Sequence, residues 1–532
     1  MNLGFKKIAV YLGAACLLCS TVRTHAFALL GPYEPWMLET NGMRQSEYTP
    51  YTQVNEVFGY AGYTPEPEDI GGPMDIGSGY RWNVPVITYG FDKSFQDYFG
   101  TNGVAAVESA IKALNDLPPA SSIVLTNFPV STMQFNYEAQ VFSGTNPLND
   151  LKSQTLSLLL EQLGLAQPTR YVFVLKQWDS SLRPSRPYRY SSEYDWGSWA
   201  IPEFIVRRNF DPETLAPTSY VNEILFSALI YTDYVNNLMV PFYVDPETIP
   251  HPAVADLNLL FGFFYTGPTR DDVGGLRYLL STNNVNYETL LPGVQGVGAN
   301  ASSFVNDAWR PGVDKITFVP QPVDSSSGAF LTYTNQFTDR YLTNGVLVQQ
   351  SVARVLAKPD ILFCVADLGS QTPTPVVNCT GTTNWINNAS LNGNPTGAGP
   401  GVIQPAITIT FSKTSRGIQH DSYIADESVY ENTAQWGTFD GSTNALITYP
   451  IAKTGTNQLT VRMWLTAGNS LPQPFEWSLA SPIGTPFAFQ TSTNLSNWIT
   501  SFVVTNDGNV CTYLNYNPAS PSRFYRLIPS DQ

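Results

Sequence analysis

The spacing of apolar and polar residues changes character several times along the 532-residue chain. "YRWNVPVITYGFD", residues 80–92, is rich in β-branched and aromatic residues and predicts a strand. In "GVAAVESAIKALNDLPP", 103–119, Val104, Val107, Ile111 and Leu114 share one helical face, and Pro118 and Pro119 stop the helix. "LNDLKSQTLSLLLEQLGL", 148–165, predicts a second helix closed by Gly164, and "TRYVFVLKQWD", 169–179, a buried strand after it. In "PTRDDVGGLRYLL", 268–280, Thr269 caps a third helix and Asp272 completes a capping box. Val273, Leu276 and Leu280 then face the core, while Gly274 and Gly275 admit close neighbours. "SYVNEILFSALIYTDYV", 219–235, reads as a strand, and "VLVQQSVARVLAKP", 346–359, as a helix among short strands and turns.

Periodicity is lost in two places. Residues 29–80, rich in Pro, Gly, Tyr and acids, read as an extended N-terminal segment that orders on docking; residues 381–403, filled with Asn, Gly, Thr and Pro, read as a linker. Beyond the linker, "AITITFSK", "NALITYPI", "NQLTVRMWLT" and "FEWSLA" are strands at short spacing. The pattern predicts an α+β body over 81–380 and an all-β sandwich over 404–532, a division that suits a chain too long for one core.

Composition sharpens this picture. Hydrophobic residues make up 43% and charged ones 13%, which supplies packed cores and argues against global disorder. Lys6 and Lys7 precede the apolar run "IAVYLGAACLLCSTV", and "THAFA" offers cleavage after Ala26 or Ala28, the pattern of a signal peptide over 1–28. The protein is therefore expected to be secreted or at the cell surface. A lipid anchor at Cys16 is the alternative, although Gly13 stands where such a motif has leucine. No later run reaches the roughly 18 apolar residues of a membrane helix, so no transmembrane anchor is expected after cleavage. Removing Lys6, Lys7 and Arg23 with the leader takes the net charge from −15 to −18, which repels nucleic acid and anionic lipid. In an oxidising compartment Cys364 and Cys379 are candidates for a disulfide, leaving Cys511 buried and inert.

Catalytic signatures are sparse. A zinc site of the form H-E-x-x-H-x-x-G-x-x-H needs three imidazoles, yet outside the leader only His251 and His420 remain. The nearest imitation, "VNEILFSAL", 221–229, keeps only Glu223. There is no G-x-S-x-G elbow, phosphate loop or dinucleotide fingerprint, and no cofactor is expected. One segment suits sugar: "RPYRYSSEYDWGSWAIPEF", 186–204, sets Tyr190, Tyr194, Trp196 and Trp199 among Glu193, Asp195 and Glu203. Aromatic faces stack on sugar faces and carboxylates accept sugar hydroxyls. The competing reading packs these rings against the core.

Two resemblances follow. "ITYGFD" with "AVESAIKAL", and "FFYTGPTRDDVGGLRYLL" further on, resemble the opening and the last helix of a matrixin-type metzincin, in the same order. That implies a degenerate metzincin-like body, without zinc chemistry because the ligands are missing. "FAFQTSTNLSNWITSFVV" followed by "SRFYRLIPSDQ" is similar to a C-terminal β module, Q-T-S-T-N-L-x-x-W with R-F-Y-R-L, found on large exported proteins of environmental bacteria. The matching residues, within 486–532, are Gln490, Ser492, Thr493, Asn494, Leu495, Trp498, Arg523, Phe524, Tyr525 and Arg526. This resemblance implies an address and no chemistry. The expected function is binding or surface assembly with an extracellular polysaccharide or protein; the alternative is a hydrolase of polysaccharide or peptide that uses carboxylates.

Overall fold

A computed structural model describes residues 26–32, 72–141, 148–169, 171–172, 174–175, 188–191, 205–232, 237–244, 253–256, 262–298, 301–324, 328–366, 368, 379–380, 385–387, 399–411, 435–441, 446–450, 456–465, 473–482, 485–506, 510–515 and 524–530. Strand Val86–Phe91 lies within a five-stranded sheet, parallel to Thr317–Pro320 on one side and to Ile361–Val365 on the other. Ile407–Phe411 extends the parallel run, and Cys379–Thr380 closes it antiparallel. Ile87, Ile361, Phe363, Ile407 and Ile409 are buried on one face of the sheet, while Leu362 and Cys364 on the other are half-buried.

Helix Lys93–Asn115 follows directly, with the Asp92 carboxylate accepting from the Phe95 amide at 2.9 Å. It begins ten residues before the predicted run because two helical pieces meet at Gly100, whose φ of 60° breaks the period. Phe95 and Phe99 pack against Phe411, and Phe99 also against Trp436. Helix Leu151–Gln162 is capped by Asp150 and ends as expected before Gly164, at φ 102°. A Cβ there would lie 2.2 Å from the Tyr80 carbonyl oxygen.

Helix Arg270–Leu280 carries the predicted capping box, the Thr269 amide donating to Asp272 at 2.7 Å. Gly275 lets the helix close on Phe27 and Leu165. Residues 219–235 include the expected strand, Ile224–Thr232.

Several expectations are corrected. The α+β body, degenerate metzincin-like and followed by an all-β sandwich, is not what forms. Strands dominate, thirty-four against four α-helices among the described residues, and the small sheets stand in a four-bladed, propeller-like ring. The partners of Val86–Phe91 come from residues 317–320 and 361–365, downstream of helix Arg270–Leu280, whereas the strand expected after the second helix, Val174–Leu175, pairs among the described residues with Ile205–Val206 alone. Within the range read as a linker, 381–403, the described residues include two strands. Trp385–Asn387 pairs with Gly401–Ile403, which in turn joins Tyr80–Arg81, and Gln435–Thr438 pairs with Leu148–Asp150. These strands are two to four residues long, too short for composition or period to reveal. The C-terminal strands are present, but as two three-stranded sheets, one built on Thr456–Leu465 and one on Pro486–Ser492.

The expected helix at 346–359 is the strand Val346–Leu356, paired throughout with Tyr333–Thr343. Asn344 and Gly345, at φ 51° and 76°, make the two-residue turn that joins them.

The Cys364 to Cys379 disulfide is also overturned. Cys364 pairs across from Thr410 and Cys379 from Ile409, on opposite edges of the same strand. Two strand spacings separate their Cα atoms by roughly 10 Å, beyond the ~7 Å a disulfide tolerates. Cys364 is a free thiol whose sulfur contacts the Thr410 hydroxyl at 3.0 Å.

Finally, the leader boundary at residue 28 cuts through strand Phe27–Gly31. That strand pairs with Gly72–Met74, Leu165–Ala166 and Asn209–Phe210, and Ala26, Phe27 and Ala28 are buried.

Candidate functional site: an open polar cleft

The helix face i, i+3, i+4, i+7 of Lys93–Asn115 presents Asn102, Ala105, Ala106 and Ser109 to an open cleft of about 610 Å³. The opposite walls come from distant parts of the chain. Gln134 lies on strand Met133–Phe135, which pairs with Phe263–Tyr265 and so brings Phe264 and Thr266 alongside. Pairing of Gln435–Thr438 with Leu148–Asp150 delivers Thr438, Phe439, Asp440 and Gly441, and Lys152 enters from the first turn of helix Leu151–Gln162.

The floor is apolar. Phe264 and Phe439 are buried and meet edge to face, centroids 6.0 Å apart. Around them stand amides and hydroxyls. The Thr438 hydroxyl is 2.8 Å from that of Tyr449, and Asn136 donates to the Asp440 carbonyl at 2.9 Å. Lys152 is the one cation and Asp440 the one carboxylate among the described lining residues.

Asp150 lies beneath the cleft, fully buried. It accepts from the Ser153 amide at 2.9 Å and hydroxyl at 2.5 Å, and from the Phe439 amide at 3.4 Å. Burial pushes its carboxyl up to about 6, against the pull of the Ser153 and Phe439 donors and of the Lys152 charge. It cannot reach a ligand, and its main role is to cap helix Leu151–Gln162 through Ser153, with a weak contact to the Phe439 amide beside it.

A second group of buried acids holds the chain rather than a ligand. Asp272 accepts from the amides of Val254, Ala255 and Thr269, and Asp256 from the amides of Thr169 and Ala253. Together they fasten three separate segments. Burial raises both, Asp256 to about 7, and burial together with these two acids raises the neighbouring Tyr265 phenol.

The metzincin resemblance invites a test of zinc. With Gly164 at the glycine of H-E-x-x-H-x-x-G-x-x-H, the three ligand positions fall on Ser157, Glu161 and Gln167. All three are buried, and the Ser157 hydroxyl donates to the Val254 carbonyl. One carboxylate with a serine and a glutamine does not suit zinc. Among the described residues no group of three His, Cys, Asp or Glu is placed to hold a metal, and no helix is long and apolar enough to cross a membrane.

Of the residues singled out in sequence, Tyr190 lies on strand Tyr188–Ser191, opposite Ala228. Glu193, Tyr194, Asp195, Trp196, Trp199 and Glu203 lie outside the described residues, as do His251 and His420. The cleft was not foreseen. Its one local sign is the polar face of "NGVAAVES", 102–109, which repeats at helical spacing yet carries no motif.

No protein-family pattern matches the chain, and no characterised protein or solved structure is significantly similar to it.

Proposed function

We propose that this chain is an exported, non-catalytic binding protein whose cleft takes a hydroxyl-rich extracellular ligand, a glycan chain. The lining of the cleft carries the reading: neutral amides and hydroxyls from Asn102, Ser109, Gln134, Thr266 and Thr438 surround a floor of two phenyl rings. Apolar rings accept the flat faces of sugars while amides and hydroxyls exchange hydrogen bonds with their rims. The volume lies within the range of ordinary ligand pockets. Asp440 is the one carboxylate among the described lining residues, where a glycosidase uses a pair, and the Asp150 carboxyl, 0% exposed and bonded to Ser153, is out of reach of a glycosidic bond, which weighs against the hydrolase alternative.

The test is a binding screen of the mature chain against insoluble and soluble polysaccharides, with reducing-sugar release assayed in the same tubes. Ser109 is exposed on the helix face, so Ser109→Trp should fill the cleft without disturbing the core. Retention of glycan is expected to fall at least about tenfold, which is roughly 1.4 kcal/mol, at an unchanged melting temperature. Undiminished binding by the variant would move the site elsewhere, and released sugar would make the protein a hydrolase.

Export rests on the leader pattern around Lys6 and Lys7 and on the C-terminal resemblance at Gln490–Trp498 and Arg523–Arg526. Of the two cleavage positions, the one after Ala26 leaves strand Phe27–Gly31 whole, with Phe27 against Gly275 and stacked on Tyr278 at 5.4 Å. Mass spectrometry of the exported protein should find Phe27 at its N-terminus. A mature chain starting at Leu29 would contradict the role given to this strand.

A further inference from the structure

The cleft contains one feature that a neutral sugar leaves unused. Lys152 is half-buried in its wall and makes no ion pair with any described residue. Its surroundings are not a counter-charge of the usual kind. Asp150, two residues away, is buried under Phe439 and turned onto the Ser153 amide and hydroxyl. Asp440 is exposed and already engaged by other groups.

Lys152 also occupies the first turn of helix Leu151–Gln162, where the aligned peptide dipoles add positive potential. An ammonium held partly out of water in a polar cleft is best satisfied by an anion. A charge-assisted hydrogen bond to a carboxylate is about twice as strong as one to a neutral hydroxyl. The remaining lining, by contrast, offers only neutral donors and acceptors suited to a ring bearing hydroxyls.

We infer that the cleft selects acidic glycans, with Lys152 binding the carboxylate of a uronate unit while Asn102, Ser109, Gln134 and Thr438 hold its hydroxyls. This rests on the glycan-binding reading and deepens it. The geometry favours a sugar acid over an acidic peptide because the floor of Phe264 and Phe439 is apolar and the cleft holds a single cation among the described residues. A run of carboxylates on a peptide would meet one lysine and otherwise the field of a strongly acidic chain, net charge −15 before the leader is removed. Short oligomers are the right probe for the same reason, since long polyuronates would be repelled by the rest of the surface.

The experiment measures affinity of the full mature chain for short oligogalacturonates, their methyl esters, neutral cello-oligosaccharides and a glutamate peptide. The oligogalacturonate is expected to bind about tenfold more tightly than its methyl ester or the neutral oligomer. Lys152→Gln should abolish that preference, and Lys152→Arg should keep it. Melting temperatures of both variants check that the helix start is intact. Equal affinity for acid and ester, a glutamate peptide that binds as well as the uronate, or an unaffected K152Q overturns the uronate inference while the glycan reading stands. Failure of every oligosaccharide to bind overturns both.

Discussion

Replacing Arg310 with alanine is expected to remove about 3–5 kcal/mol of stability, the cost of leaving a buried partner charge uncompensated. Arg310 is 2% exposed and uses its whole guanidinium. Nε and Nη2 grip the Asp339 carboxylate at 3.0 and 3.1 Å, Nη1 donates to the carbonyls of Glu288 and Asn306, and Nη2 also to that of Val305. Asp339 in turn accepts from Gln350 at 2.8 Å, so the long hairpin depends on the same group. The Arg310 carbonyl accepts from Arg81, which pairs with Glu288 at 2.8 Å and reaches the Leu279 carbonyl at the end of helix Arg270–Leu280. One residue therefore joins the hairpin sheet to the core helix and to strand Tyr80–Arg81.

Arg310→Lys keeps the charge but not the planar fork, and should recover less than half of the loss in a urea titration. The double change Arg310→Met with Asp339→Leu, which removes both charges, should be milder than Arg310→Ala. A lysine variant as stable as the native chain would show that the five-donor geometry is not what matters.

The same arginines explain part of what the sequence hid. Along Val346–Leu356 the positions facing inward include Gln350 and Arg354, both buried, the second paired with Asp360 at 2.6 Å. Polar residues on the inner face erase the alternation that marks a strand, and the run "VLVQQSVARVL" then passes for a helix. The Asn344-Gly345 turn was the better signal because it depends on two residues alone. The helix termini were legible for that reason too: Thr269 with Asp272, and Gly164, act within a few residues of themselves.

Long-range pairing was not legible. Strand Val86–Phe91 finds its neighbours more than two hundred residues away, and spacing gave Cys364 and Cys379 as a pair although a strand lies between them. The cleft belongs with these, being drawn from Asn102 at one extreme and Ile447 at the other. A site made of neutral polar residues from several elements has no spacing rule to betray it. Lys152 was visible only as one charge in a helix, and its meaning depends on the strand Gln435–Thr438 that pairs beside it.

Stability is expected to fall as pH rises from about 4 to about 7. Burial raises Asp150 to about 6 and Asp256 to about 7, from 3.8, and moves Asp272 and Glu288 in the same direction. Below pH 3.8 the two aspartates are protonated in both states and contribute no difference. Between that point and the raised value the unfolded chain has released its protons while the folded one retains them, so the folded state binds more protons and each step up in pH disfavours it. Within that window each of the two aspartates costs the folded state about 1.4 kcal/mol for every step of one in pH, and their share of the loss is complete once the pH passes about 7.

Chemical denaturation at pH 5 and pH 8 measures the slope. Asp150→Asn is the informative variant because its amide oxygen can keep both Ser153 bonds, while the 3.4 Å contact with the Phe439 amide is weak in any case. It should lessen the slope between pH 4 and 6, where Asp256 still contributes, and leave the part between 6 and 7, where Asp150 contributes little, unchanged. The Asp256 carboxylate accepts from Thr169 on both oxygens and from Ala253, so Asp256→Asn faces a donor with a donor and should lose stability at every pH as well as slope. A native profile that is flat or rises from pH 5 to pH 8, or an Asp150→Asn profile parallel to the native one, would show that these carboxyls are ionised in the folded state across the range. The donors around them would then outweigh their burial.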